Sequence, residues 1–128
     1  MRLWHESLIK SLPRQQLLGQ HRWREVCALR GLGWGKPHST VNYVFKHDYQ
    51  KLVDYHYLIM REMLKRGYNI HNIDWFNPWY RGKIRGFDSD VKYTPRKYKS
   101  NVYMEHNADY LNECLDNLSR KGIKIVIW

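Results

Sequence analysis

Between Asp48 and Gly67 the apolar residues fall at the spacing of an α-helix. Leu52, Ile59, Met60, Met63 and Leu64 form a stripe with a 3.6-residue period. Lys65 and Arg66 fall in the last turn, where the helix dipole favours cations, and Gly67 supplies a left-handed cap. A helix over about 48–66 must bury its stripe, so it needs amphipathic partners.

Two further segments supply them. The first begins near Ser11 and Pro13, with Ser11 as N-cap and Pro13 in the first turn. It runs over about 13–30, where Gly31 and Gly33 end it. At 100° per residue Leu18, Glu25 and Leu29 share one row, which sets a carboxylate in line with apolar side chains. The second spans about 107–121, from Asn107 to Gly122, with Ala108, Leu111, Leu115 and Leu118 on its buried face. The closing IKIVIW reads as a short strand or as an extended segment capping the core, and its periodicity does not decide between them. Three such helices with long loops make an all-α fold, and 128 residues suit one domain over 1–128.

Charge narrows the partners. Twenty-two Lys and Arg against twelve Asp and Glu give a formal charge of +10, which favours a polyanion, with nucleic acid foremost. A basic, highly soluble protein without such a partner is the plainer alternative. No run of about 18 apolar residues is present, so no membrane span is expected. MRLWHESLIK lacks the apolar centre of a signal peptide, so a cytoplasmic protein is expected.

Two cysteines, Cys27 and Cys114, do not make a disulfide framework, and Cys27 reads as core rather than as nucleophile. The seven histidines include no HxxxH pair and no Cys/His cluster, so neither metal nor cofactor is expected. No carboxylates cluster at metal-ligand spacing, which disfavours a metal-dependent nuclease. His56 lies within the second helix as a packed or surface residue rather than a catalytic one.

The loops are basic and aromatic. GLGWGKPHST, residues 31–40, is rich in glycine but lacks the Ser/Thr of a phosphate loop and follows no strand, so it reads as a basic surface loop. Residues 71–105 interleave Arg81, Lys83, Arg85, Lys92, Arg96, Lys97 and Lys99 with Trp75, Trp79, Tyr80, Tyr93 and Tyr98. Cations among aromatics suit phosphate contact and base stacking, so DNA contacts are expected there. A solvated loop packed by its own aromatics is the alternative.

Several motifs together resemble a known family. YHYLIMREMLKRGYNI, from Tyr55 to Ile70, is similar to the second long helix of the bacteriophage-type pyrimidine-dimer DNA glycosylases, the endonuclease V family. Trp23-Arg24-Glu25 resembles that family's aromatic-Arg-Glu motif, and Arg2 a basic residue beside its N-terminus. HSTVNYVF, His38 to Phe45, is similar to the lead-in to the second helix, and Tyr80-Arg81-Gly82 to an aromatic-Arg-Gly element after it. The likeness covers roughly residues 1–85 well and the rest loosely.

The resemblance implies a metal-free DNA repair glycosylase with abasic-site (AP) lyase activity, acting as a monomer on damaged or abasic double-stranded DNA. It implies that the α-amine of residue 1 attacks C1′ and that Glu25 is the catalytic carboxylate. It also implies DNA contacts from Arg2, Arg22, Arg24, His38, Arg81 and Lys83. Arg2 is too bulky for removal of Met1, so the nucleophile is the amine of Met1. An α-amine has a reference pKa of about 7.7–8.0, and neighbouring cations lower it further. The spacing from the N-terminus to Trp23-Arg24-Glu25 is a few residues longer than in the family, which leaves Glu6 as a second carboxylate. The family's aromatic C-terminal segment is reduced to Trp128, so the lesion stays open among pyrimidine dimers, other damaged or modified pyrimidines and abasic sites. The competing reading is a non-catalytic nucleic-acid-binding module on the same scaffold.

Overall fold

The computed structural model describes residues 2–21, 26–30, 39–70, 73–79 and 92–125. Among them the protein is all-α, with no strand. Helices α1 (Arg14–His21), α2 (Val26–Arg30), α3 (Tyr49–Lys65) and α4 (Ala108–Arg120) are joined by 3-10 turns at Glu6–Ser11, Ser39–Phe45 and Ile73–Phe76.

Helix α3 is the axis of the molecule, and α1, α2 and the first two 3-10 turns pack on it. Leu52, Ile59, Met60 and Met63 are buried as their spacing dictates. Leu64 is not: at 52% exposure it has turned past the stripe, and Met63 takes the core position. Val53 and Tyr55 add to the buried face. Asp48 occupies the N-cap position in an extended conformation, without a side-chain capping bond.

The two expected glycine caps form by the same rule. At Gly67 (φ 82°) the Gly67 N–H bonds to Leu64 O and the Tyr68 N–H to Met63 O. At Gly122 (φ 80°) the Gly122 N–H bonds to Ser119 O and the Ile123 N–H to Leu118 O. Each is the paired-bond left-handed cap that satisfies the last helical carbonyls. Asn107 caps α4 through its side chain, which accepts the Tyr110 N–H at 2.9 Å. The buried line of α4 runs through Cys114 and Leu118, flanked by half-buried Leu111 and Leu115, while Ala108 is exposed in the first turn. Ile123 and Ile125 of the tail pack on the core without regular structure.

The N-terminal segment departs most from expectation. Ser11 closes a 3-10 turn instead of capping α1. Leu12 is extended, as a residue before proline prefers, and Pro13 O accepts the Leu17 N–H at 3.0 Å. Leu3, Trp4, Leu8, Ile9 and Leu12 are all buried, so this segment is core. Arg66 fastens its end: the guanidinium donates to Leu12 O at 2.7 Å and Lys10 O at 3.1 Å while pairing with Glu62 at 2.9 Å.

Candidate functional site

Chain ends are ordinarily the least ordered part of a domain unless something ties them down. Here three successive carbonyls are each taken by a side chain from a different helix. Gln20 of α1 donates from Nε2 to Arg2 O at 3.0 Å, and its Oε1 accepts the Trp4 N–H at 3.3 Å. Tyr110 of α4 donates its hydroxyl to Leu3 O. Tyr55 of α3 donates to Trp4 O at 2.6 Å. Gln20 and Tyr55 are fully buried, so these polar groups are satisfied by the segment they hold.

Of the residues expected at the site, Arg2 is described. Its guanidinium pairs with Glu113 of α4 at 3.3 Å and lies 5.8 Å from the Tyr110 ring, with 18% of the side chain exposed. Glu6, the second carboxylate, is half-buried; its Oε2 accepts the Val102 N–H at 2.8 Å. Burial raises its pKa and that bond opposes the rise. Glu6 thus ties the loop at Val102 to the N-terminal turn. Met1, Arg22, Arg24, Glu25, His38, Arg81 and Lys83 lie outside the described residues, as do Gly31 and Gly33.

Two histidine networks flank this anchorage. In the first, Arg30 of α2 is 1% exposed and donates to His56 Nδ1 at 2.8 Å. A guanidinium only donates, so His56 carries its proton on Nε2 and gives it to His21 Nδ1 at 2.8 Å. Arg30 also lies over the Trp75 ring at 4.7 Å and bonds the Tyr49 hydroxyl at 3.2 Å. One imidazole of α3 therefore holds the end of α1 and the end of α2. Burial first, then the Arg30 charge, drives the His56 pKa well below its ordinary value. His56 is packed, as expected.

In the second network His106 Nδ1 accepts the Glu6 N–H at 3.1 Å, and its Nε2 meets the Tyr43 hydroxyl at 2.8 Å. Its ring stacks against both His5 and Tyr110, whose own centroids lie 6.3 Å apart. Burial pushes its pKa down to about 3, so it is neutral. His5 caps the first 3-10 turn by accepting the Ser7 N–H at 3.1 Å. Sequence reading missed both networks; the imidazoles of His56 and His106 bond partners 26 to 100 residues away.

The basic-aromatic stretch divides in two. Asp54 of α3 has a side chain 1% exposed and receives the Arg96 N–H at 2.9 Å, Arg96 Nε at 3.3 Å and the Tyr98 hydroxyl. Arg96 is thereby pinned, whereas Lys97 is exposed. Cys27 is half-buried and its thiol pKa is pushed up to about 11, which suits a packed residue. Among the described residues no group of three or more His, Cys, Asp or Glu is placed to hold a metal ion. No helix among them is long and apolar enough to cross a membrane.

Among the described residues an all-α scaffold holds residues 2–4 between three helices. The family model for pyrimidine dimer DNA glycosylase matches residues 1–76, more than half of the chain, and the protein belongs to that family. The match covers the N-terminal segment and α1 to α3, including Gln20 and Tyr55; Tyr110 and Glu113 lie beyond it. No curated protein and no solved structure matches the chain.

Proposed function

We propose that the protein is a DNA glycosylase with AP lyase activity whose nucleophile is its own terminal amine. The observation that carries this reading is the anchorage of Arg2, Leu3 and Trp4 through their carbonyls by α1, α4 and α3. A reacting amine needs to be held in place, since correct positioning supplies much of the rate of such a step. Family membership makes DNA the substrate.

In this reading the neutral Met1 amine forms a bond to C1′ as the bond to the base breaks, and the base leaves with that electron pair and takes up a proton. Opening of the sugar ring gives an imine. Loss of a C2′ proton then expels the 3′ phosphate. Glu25 stabilises positive charge at the sugar and manages the proton at the imine step. The Arg2 charge, on the neighbouring residue, favours the neutral amine to the extent that Glu113 leaves it uncompensated. Arg22, Arg24, His38, Arg81 and Lys83 supply DNA contacts, with pyrimidine dimers the leading lesion. The test is incubation of the native-terminus protein with abasic duplex DNA and borohydride. A covalent protein–DNA adduct is expected; DNA binding with no adduct would leave the binding-module reading in its place.

A further inference from the structure

Beside α3 lies a cleft of about 490 Å³, which Glu6 of the first 3-10 turn also lines. Its lining includes Tyr57 and Arg61 of α3, Trp75 and Phe76 of the third 3-10 turn, and Arg96 and Lys97 of the following loop. In a 3-10 turn residues three apart share a face. Ile73 and Phe76 accordingly face outward, at 71% and 36% exposure, while Trp75 turns in over Arg30. Trp79, 52% exposed, follows Phe76 by three residues, just outside the cleft lining. Its N–H bonds Asn77 Oδ1 at 2.9 Å, and the neighbouring Pro78 O accepts the Tyr93 N–H at 3.0 Å. The exposed aromatics thus sit on fixed backbone.

The charge beside them is positive. Arg61 lies 5.9 Å from the Tyr57 ring and is exposed, as is Lys97. Asp54 is engaged with Arg96 and Tyr98, and Glu6 with Val102; Asp74 is exposed in the turn that carries Phe76 but is not on the cleft lining. Outward aromatics beside the exposed Arg61 and Lys97 match a nucleic-acid strand whose bases are unpaired, because only an unpaired base offers its face for stacking.

We propose that Phe76 and Trp79, with Arg61 and Lys97, form a binding surface for single-stranded DNA on this side of α3. Its lower wall, Arg96 and Lys97, lies beyond the part matched by the family model. The proposal rests on the functional reading above only for the choice of DNA as partner.

The probe is a fluorescein-labelled dT oligomer, followed by anisotropy with the full chain at several salt concentrations. Phe76→Ala and Trp79→Ala are each expected to weaken binding about fivefold or more. Arg61→Ala and Lys97→Ala are each expected to make the log–log salt slope shallower by about 0.7, the value for one lost single-strand phosphate contact. Met104→Ala, at a site 77% exposed and outside the cleft, serves as control and should bind as the parent does. Unchanged thermal midpoints would show that the variants fold. Parent-like affinity and salt slope in all four cleft variants, or an equal loss in the Met104 control, would overturn the proposal. Borohydride trapping is scored separately, so failure of the amine chemistry and failure of this surface are distinguishable.

Discussion

The two sides of α3 are built to opposite rules. On one side Tyr55 and His56 are completely buried, and each holds backbone or side chains from elsewhere in the chain by bonds of 2.6–2.8 Å. On the other, Tyr57 and Arg61 line an open cleft with exposed Phe76 and Lys97. One turn of helix therefore separates groups fixed against each other from groups facing solvent. Buried polar networks are costly unless every member is satisfied, and they hold geometry when it is. Open cations and aromatics cost little and are free to meet a polyanion.

The largest effect is expected at the proposed catalytic carboxylate. Glu25→Gln should lower strand cleavage by about a hundredfold or more, the scale of a lost acid–base group, while leaving DNA affinity nearly unchanged. Gel assays of cleavage and anisotropy of binding would check this, and unaltered cleavage would remove Glu25 from the mechanism. His56→Leu removes one acceptor of the buried Arg30 and cuts the bond to His21, so a stability loss on the order of 2 kcal/mol is expected in urea unfolding. A loss below about 0.5 kcal/mol, the scale of a surface change, would mean that the packed side is not what it is taken to be.

Acid should act on the same side. The pKa of His106 is depressed to about 3 and that of His56 lies well below the ordinary value of 6.5. The unfolded chain then binds more protons than the folded one as pH falls below about 6.5, so stability declines from there toward pH 3. Unfolding midpoints across that window should fall steadily, and His106→Gln should flatten the decline. A flat parent profile would contradict the neutral, buried histidines. The smallest effect belongs to a helix end: Gly67→Ala places a side chain at φ 82° in open space and should cost about 1 kcal/mol through backbone strain alone.

Local rules were legible in the sequence and distant pairings were not. The 48–66 and 107–121 helices follow from a periodic apolar stripe and a closing glycine, and both glycines adopt the left-handed cap. Leu64 and Ala108 were misplaced because a helical wheel does not say how wide the covered face is. The N-terminal 3-10 turn was hidden by charged residues between Leu3, Leu8 and Leu12, and the proline rule places its end only in hindsight. At the site, a family likeness pointed to the N-terminus and to Glu25. Nothing local in the sequence says that Gln20, Tyr55 and Tyr110 converge on residues 2–4, or that His56 joins His21 to Arg30. Those contacts exist only once the helices have packed.

The most direct measurement is the identity of the residue that carries the trapped DNA. After borohydride reduction on an abasic duplex, proteolysis and mass spectrometry should find the adduct on the α-amine of Met1, and acetylation of that amine should abolish it. An adduct on a lysine, or undiminished trapping by the acetylated protein, would contradict an N-terminal nucleophile.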